Sequence, residues 1–134
     1  MKYIHEMLQE INDDLDLLNS TYKNTTSIKM IFGYAFDPDL KFDLPKKIPP
    51  YRQEKSVIGI APISLMAELR RLYVLTSAKT NITQKRKEEI FLQMIEGMAK
   101  EDADILIAIR QQNLKSVFPK LTHTNVAMYG YKVE

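Results

Sequence analysis

The residues best suited to chemistry in this sequence are basic, and they cluster. The stretch "IRQQNLKSVFPKLTHTNV", residues 109–126, carries Arg110, Lys115 and Lys120 and no acid, directly after an acidic run. A second cluster, Lys85, Arg86 and Lys87 in "TQKRKEE", opens a predicted helix. Cations in a first helical turn oppose the helix dipole, a local cost that is recovered where they meet an anion. Glu88 and Glu89 follow at once and supply the plainer explanation, a solvated face whose charges offset one another. Thr122 and Thr124 flank His123 at the expected start of a short last helix, where a hydroxyl can cap free amides and a phosphate can dock. Arg52 stands beside Tyr51 in a basic loop, and Arg70 lies off the apolar stripe of its helix. Arg52, Arg70, Lys85, Arg86, Lys87, Arg110, Lys115, Lys120, Thr122 and Thr124 are therefore the expected contacts to a nucleic-acid backbone.

Other chemistries find little support. His5 and His123 are the only histidines, and neither has a second ligand at metal-binding spacing, so no metal is expected. The four glycines are isolated, which leaves no phosphate-cradling loop. No serine sits in a nucleophile elbow. Asp13/Asp14 and Glu88/Glu89 are adjacent pairs that point in different directions on a helix, poor geometry for an acid–base dyad. The seven methionines fall at helical spacing and read first as core filler. No catalytic residues and no cofactor are expected, and the protein is read as a non-enzyme.

The elements that position these residues follow from periodicity. Ile4, Met7, Leu8, Ile11, Leu15 and Leu18 repeat in steps of three and four, the stripe of a helix of about five turns. Ile28, Ile31, Phe32 and Ala35 give a second, shorter stripe, which Pro38 ends. Residues 37–62 hold five of the six prolines and read as an irregular connection. Its basic stretch "LPKKIPPYRQEK" suits a loop lying on phosphates and equally a tether between two helical groups. Pro62 is expected in the first turn of a helix whose buried stripe is Ile63, Met66, Leu69, Leu72 and Tyr73. Thr83 or Asn81 caps the next helix, with Ile90, Phe91, Met94, Ile95 and Met98 inward and Gly97 near an end where a left-handed residue is often required. "DADILIAIRQQ" is apolar nearly all round and is expected at the centre. The expected fold is all-α: about six helices in two groups joined by the proline-rich loop, in a single domain over residues 1–134.

Composition agrees with that reading. With 134 residues and 45% apolar content, the chain can bury a sizeable core without disulfide or metal staples. It has no cysteine, which excludes a disulfide framework and thiolate metal sites. No apolar run approaches the roughly 20 residues of a membrane span, and the N-terminus lacks a signal-like stretch, so a cytoplasmic protein without membrane contact is expected. The net charge is only +2, but it is unevenly placed. Residues 1–20 carry −4, residues 41–87 carry +8, residues 88–104 carry −5 and residues 105–134 carry +3. Such alternation can fold into one basic face or into solvated faces that neutralise one another.

The order of segments resembles the N-terminal DNA-binding domain of ATP-dependent DNA ligases, above all the compact ligases of tailed phages. The resemblance is carried by "IKMIFGYAFDPDLKF", "KKIPPYR", "ISLMAELRRLYVLTSAKTNIT", "RKEEIFLQMIEGMAKEDADILIAIRQQNL" and "FPKLTHTNV", the last two most closely. It implies a helix ending in Arg110, then a turn and a short helix that contact backbone phosphates across the minor groove. Ligases continue into a nucleotidyltransferase domain with a Lys-x-Asp-Gly motif, which this sequence does not contain. The family commonly has a glycine in the turn after the arginine-bearing helix, and here that turn reads "QQNLKSVFPK". Residues 45–130 are also similar to small uncharacterised proteins of large tailed phages.

Two functions follow as expectations. One is a non-catalytic phage accessory protein that binds duplex DNA through its backbone, in the cytoplasm of the infected host cell. The other is a protein–protein module: a virion component, or a regulator of a phage or host replication protein.

Overall fold

The computed structural model describes residues 2–133. The described residues form six α-helices: α1 (Ile4–Asp13), α2 (Thr26–Phe36), α3 (Leu65–Glu68), α4 (Gln84–Gly97), α5 (Lys100–Arg110) and α6 (His123–Met128). Short 3₁₀ segments supplement them, and the described residues form no sheet, only isolated bridges between Phe42 and Thr76 and between Ile63 and Met98. The chain is all-α, as its periodicity predicts.

The first helix is shorter than its stripe. It stops at Asp13, and the Asp14 side chain accepts a hydrogen bond from the amide of Asp16, opening a 3₁₀ segment over Leu15–Asn19. A short acid that bonds its neighbours' backbone competes with the helix ladder. Leu18 is buried all the same. The segment expected as one helix from Pro62 also breaks. Ile63 is extended and donates its amide to the carbonyl of Gly97 at 2.9 Å. Ser64 caps α3, accepting from the amide of Ala67, and the chain then tightens into a 3₁₀ helix over Leu69–Leu75. Leu69, Leu72 and Leu75 are all buried. Spacing by three lines up one face of a helix with three residues per turn, so the tighter helix buries all three leucines. Tyr73, expected inside, is 43% exposed, and Leu65 takes the inward place instead.

Thr83 caps α4, its hydroxyl oxygen accepting from the amide of Arg86 at 3.1 Å. Gly97 closes this helix for a reason other than a left-handed backbone. A Cβ there would come within 2.5 Å of Cδ1 of Ile63, so glycine lets the extended strand before α3 lie against α4. At the centre stands α5, with Ile105, Leu106 and Ile109 each at most 1% exposed. The buried side chains form one cluster that draws on all six helices, so the proline-rich connection spans a shared core rather than separating two cores.

Candidate nucleic-acid interface

The site begins with two cations that the sequence places on the surface and the structure places inside. Lys87 is 1% exposed. Its Nζ lies 3.1 Å from Oδ2 of Asp43 and 2.8 Å from the carbonyl of Thr76. The first turn of α4 is thereby tied to the loop at residue 43 and to the end of the 3₁₀ helix. Gln84 adds a bond from the same turn to Asp43. Arg110 is 2% exposed and directs its donor fork inward. Its Nε donates to the carbonyl of Pro45 at 2.8 Å, and Nη2 donates to the carbonyl of Lys47 at 3.0 Å and to Oε1 of Glu88 at 2.8 Å. Nη1 pairs with the other oxygen of Glu88, and the guanidinium lies over the ring of Phe91, 4.6 Å from its centroid. Both residues are withdrawn from the set of phosphate contacts, because their charged ends are buried and bonded inside the fold. A planar fork with five donors can meet a carboxylate and two carbonyls at once, which suits it to this interior bridging role.

Their work is to bring three segments together: the loop 41–47, the end of the 3₁₀ helix with the start of α4 (76–89), and the end of α5 with its turn (110–116). These segments hold nine basic residues and three acids, a net of +6. Each acid is already matched: Asp43 by Lys87, Glu88 by Arg110 and Glu89 by Arg86. Lys41, Lys46, Lys47, Lys79, Lys85 and Lys115 have no acid within ion-pair distance among the described residues. Lys46 and Lys115 line one hollow of about 390 Å³ with Gln111, Gln112 and Asn113, a wall of amides and lysines without a carboxylate. Gln111 fixes that wall by donating Nε2 to the carbonyl of Lys46.

The turn after α5 takes a left-handed backbone at Gln112. The amide of Gln112 bonds the carbonyl of Ile109, and the amide of Asn113 bonds the carbonyl of Ala108, closing the helix in a Schellman motif. Gln112 occupies the left-handed position with φ +53°, the one non-glycine residue with positive φ among those described. A side chain there costs about 1–2 kcal/mol relative to glycine.

The remaining expected contacts scatter. Arg86 is exposed but paired with Glu89 at 3.2 Å. Arg52 lines a separate hollow with Glu54, Lys55 and Glu96, and its amide donates to Glu96. Arg70 lies near the start of α2, beside Thr26 and Met30. Lys120 is exposed, but its amide donates to Asn12 at the end of the acidic first helix. The Thr122 oxygen is taken up in capping α6, and Thr124 is exposed next to it. Of the expected set, Lys85 and Lys115 lie on the three basic segments without an ion-pair acid among the described residues. Lys41, Lys46, Lys47 and Lys79 do so as well, and the signal for them was the +8 charge of residues 41–87 together with "PKK".

Among the described residues no group of acids and histidines is arranged to hold a metal ion, and no helix is long and apolar enough to cross a membrane. Residues 5–116 match the family of unknown function DUF6433, and the chain belongs to that family. No curated protein matches the chain. No solved structure matches it either.

Proposed function

We propose that this protein binds the backbone of duplex DNA through the face carrying Lys41, Lys46, Lys47, Lys79, Lys85 and Lys115, without catalysing a reaction on it. The observation that carries this reading is the acid-free hollow in which Lys46 and Lys115 meet the amides of Gln111 and Asn113. Lysines and amide side chains are phosphate donors, and contacts of this kind position a protein on a duplex without reading its sequence. The left-handed turn at Gln112 strengthens the reading, since it is the place at which the ligase N-terminal domain approaches a phosphate. That likeness, and the likeness to phage proteins, make an accessory role in an infected cell the setting that fits best.

The test is an anisotropy titration of fluorescent 20-base-pair duplexes, intact and nicked, at two salt concentrations. Binding should weaken steeply with salt and be alike for unrelated sequences. Lys46→Glu and Lys115→Glu should each weaken binding to every duplex and reduce the salt slope by about one. Arg52→Glu, in a separate hollow beside Glu54 and Glu96, should change neither. Affinity that is absent at low salt, or that survives both lysine substitutions, overturns the reading.

A further inference from the structure

Asp102 is a buried acid outside the basic face. It lies in the first turn of α5, 3% exposed, and its Oδ2 accepts the amide of Leu65 at 3.0 Å. Among the described residues no lysine or arginine forms an ion pair with it, and His5 is the group of opposite sign that acts on it. An ionised carboxylate buried without an ion-pair partner is costly, and the bond from the Leu65 amide engages Oδ2. Asp102 lines a hollow of about 290 Å³ with Tyr3, Ile58, Pro62, Ile63 and Glu68. The wall is built closely: Gly59, at φ +91°, leaves no room for a Cβ, which would meet the Tyr3 hydroxyl at 2.5 Å. Nδ1 of His5, on the Tyr3 side, is buried without a hydrogen-bond partner. At the rim the same turn exposes Val57 and Ile60 at 64% and 74%.

We propose that this hollow receives a basic side chain, an arginine or lysine, of a protein partner, with apolar neighbours covering Val57 and Ile60. Charge and shape both select that occupant. Glu68 beside it is already paired with Arg71, so the buried acid of Asp102 is the one that calls for a cation, and a carboxylate and a guanidinium form strong paired hydrogen bonds. The apolar side chains of Ile58, Pro62 and Ile63 in its wall suit the methylene stem of a long basic residue. The exposed rim suits the residues on either side, which a free polyamine would leave uncovered. This site is independent of the DNA-binding reading, since it uses none of the six lysines.

The probe is the capped tripeptide acetyl-Leu-Arg-Leu-amide, titrated into ¹⁵N-labelled full-length protein and followed by NMR. Its neutral counterpart carries citrulline in place of arginine, and agmatine stands for a free cation. The arginine peptide should give saturable shifts at the amides of Leu65 and Asp102 and bind at least about tenfold more tightly than the citrulline peptide. Asp102→Asn, which retains an acceptor for the Leu65 amide, should abolish that preference. Ile60→Ser, at an exposed position, should weaken the peptide and leave agmatine unchanged. Equal binding of the two peptides, no saturable shift, or agmatine binding as tightly as the peptide would each overturn the proposal.

Discussion

Removing the guanidinium of Arg110 separates an interior strut from a phosphate ligand more sharply than any other change. Its side chain is fully buried, and it serves Glu88 through two nitrogens and the carbonyls of Pro45 and Lys47 through two bonds. Arg110→Met keeps much of the volume and contact with Phe91 but leaves the carboxylate and both carbonyls without their donor. Breaking a buried pair from one side costs about 3–5 kcal/mol. Glu88 keeps 22% of its side-chain surface in contact with solvent, which softens its share, so about 3 kcal/mol is expected. Set against a total stability of roughly 5–15 kcal/mol, that loss is large but leaves the protein folded in the cold. Urea denaturation followed by circular dichroism measures it. The double variant Arg110→Met/Glu88→Met should recover part of the loss, because the stranded acid is gone. It should not recover all, because the carbonyls of Pro45 and Lys47 remain unpaired. A loss below about 1 kcal/mol for the single variant would refute the strut. So would a DNA salt slope that falls by one while stability holds, the signature of a phosphate contact.

Leu106→Ala should cost about 2–5 kcal/mol in the same denaturation assay, since Leu106 is wholly buried in the central helix. A cost near zero would misplace the core. Gln112→Gly should be about 1 kcal/mol more stable than Gln112→Ala, because both lose the side chain and only glycine takes the left-handed turn freely. Equal stability of the two would argue against that backbone conformation. Burial pushes the carboxyl of Asp102 above its ordinary value of 3.8, with the Leu65 amide opposing. Between that value and the raised one, the native state keeps a proton that the unfolded chain has already lost. The contribution of Asp102 to stability therefore falls as pH rises through this window and stays low above it. Relative to Asp102→Asn, the wild-type protein should lose stability as pH rises from 3 towards neutrality, with melting temperatures against pH as the measurement. A difference that grows in favour of the wild type would reverse the sign and refute the burial argument.

Much of this protein was legible in the order of its residues. Steps of three and four marked α1, α2 and α4, and apolar residues all round "DILIAI" placed α5 at the centre. Thr83 and Thr122 stood where caps were needed, and both accept the expected amides. The uneven charge located the basic segments. What it could not assign is which cations reach solvent. Lys85 and Lys87 are two residues apart in one helical turn, and so point to different sides of it. Only the packing of the loop 41–47 against that turn decides that Lys85 is free and Lys87 meets Asp43. Arg110 ends a helix in the way a surface arginine would, and its partners Pro45, Lys47 and Glu88 are 65, 63 and 22 residues away. No local pattern encodes a partner at that distance. The same limit hid the 3₁₀ turns, where leucines spaced by three are compatible with an α-helical stripe until the neighbouring helices set the depth of the core. It also hid Asp102, an ordinary first-turn acid by sequence, which is buried only because α3 begins against it.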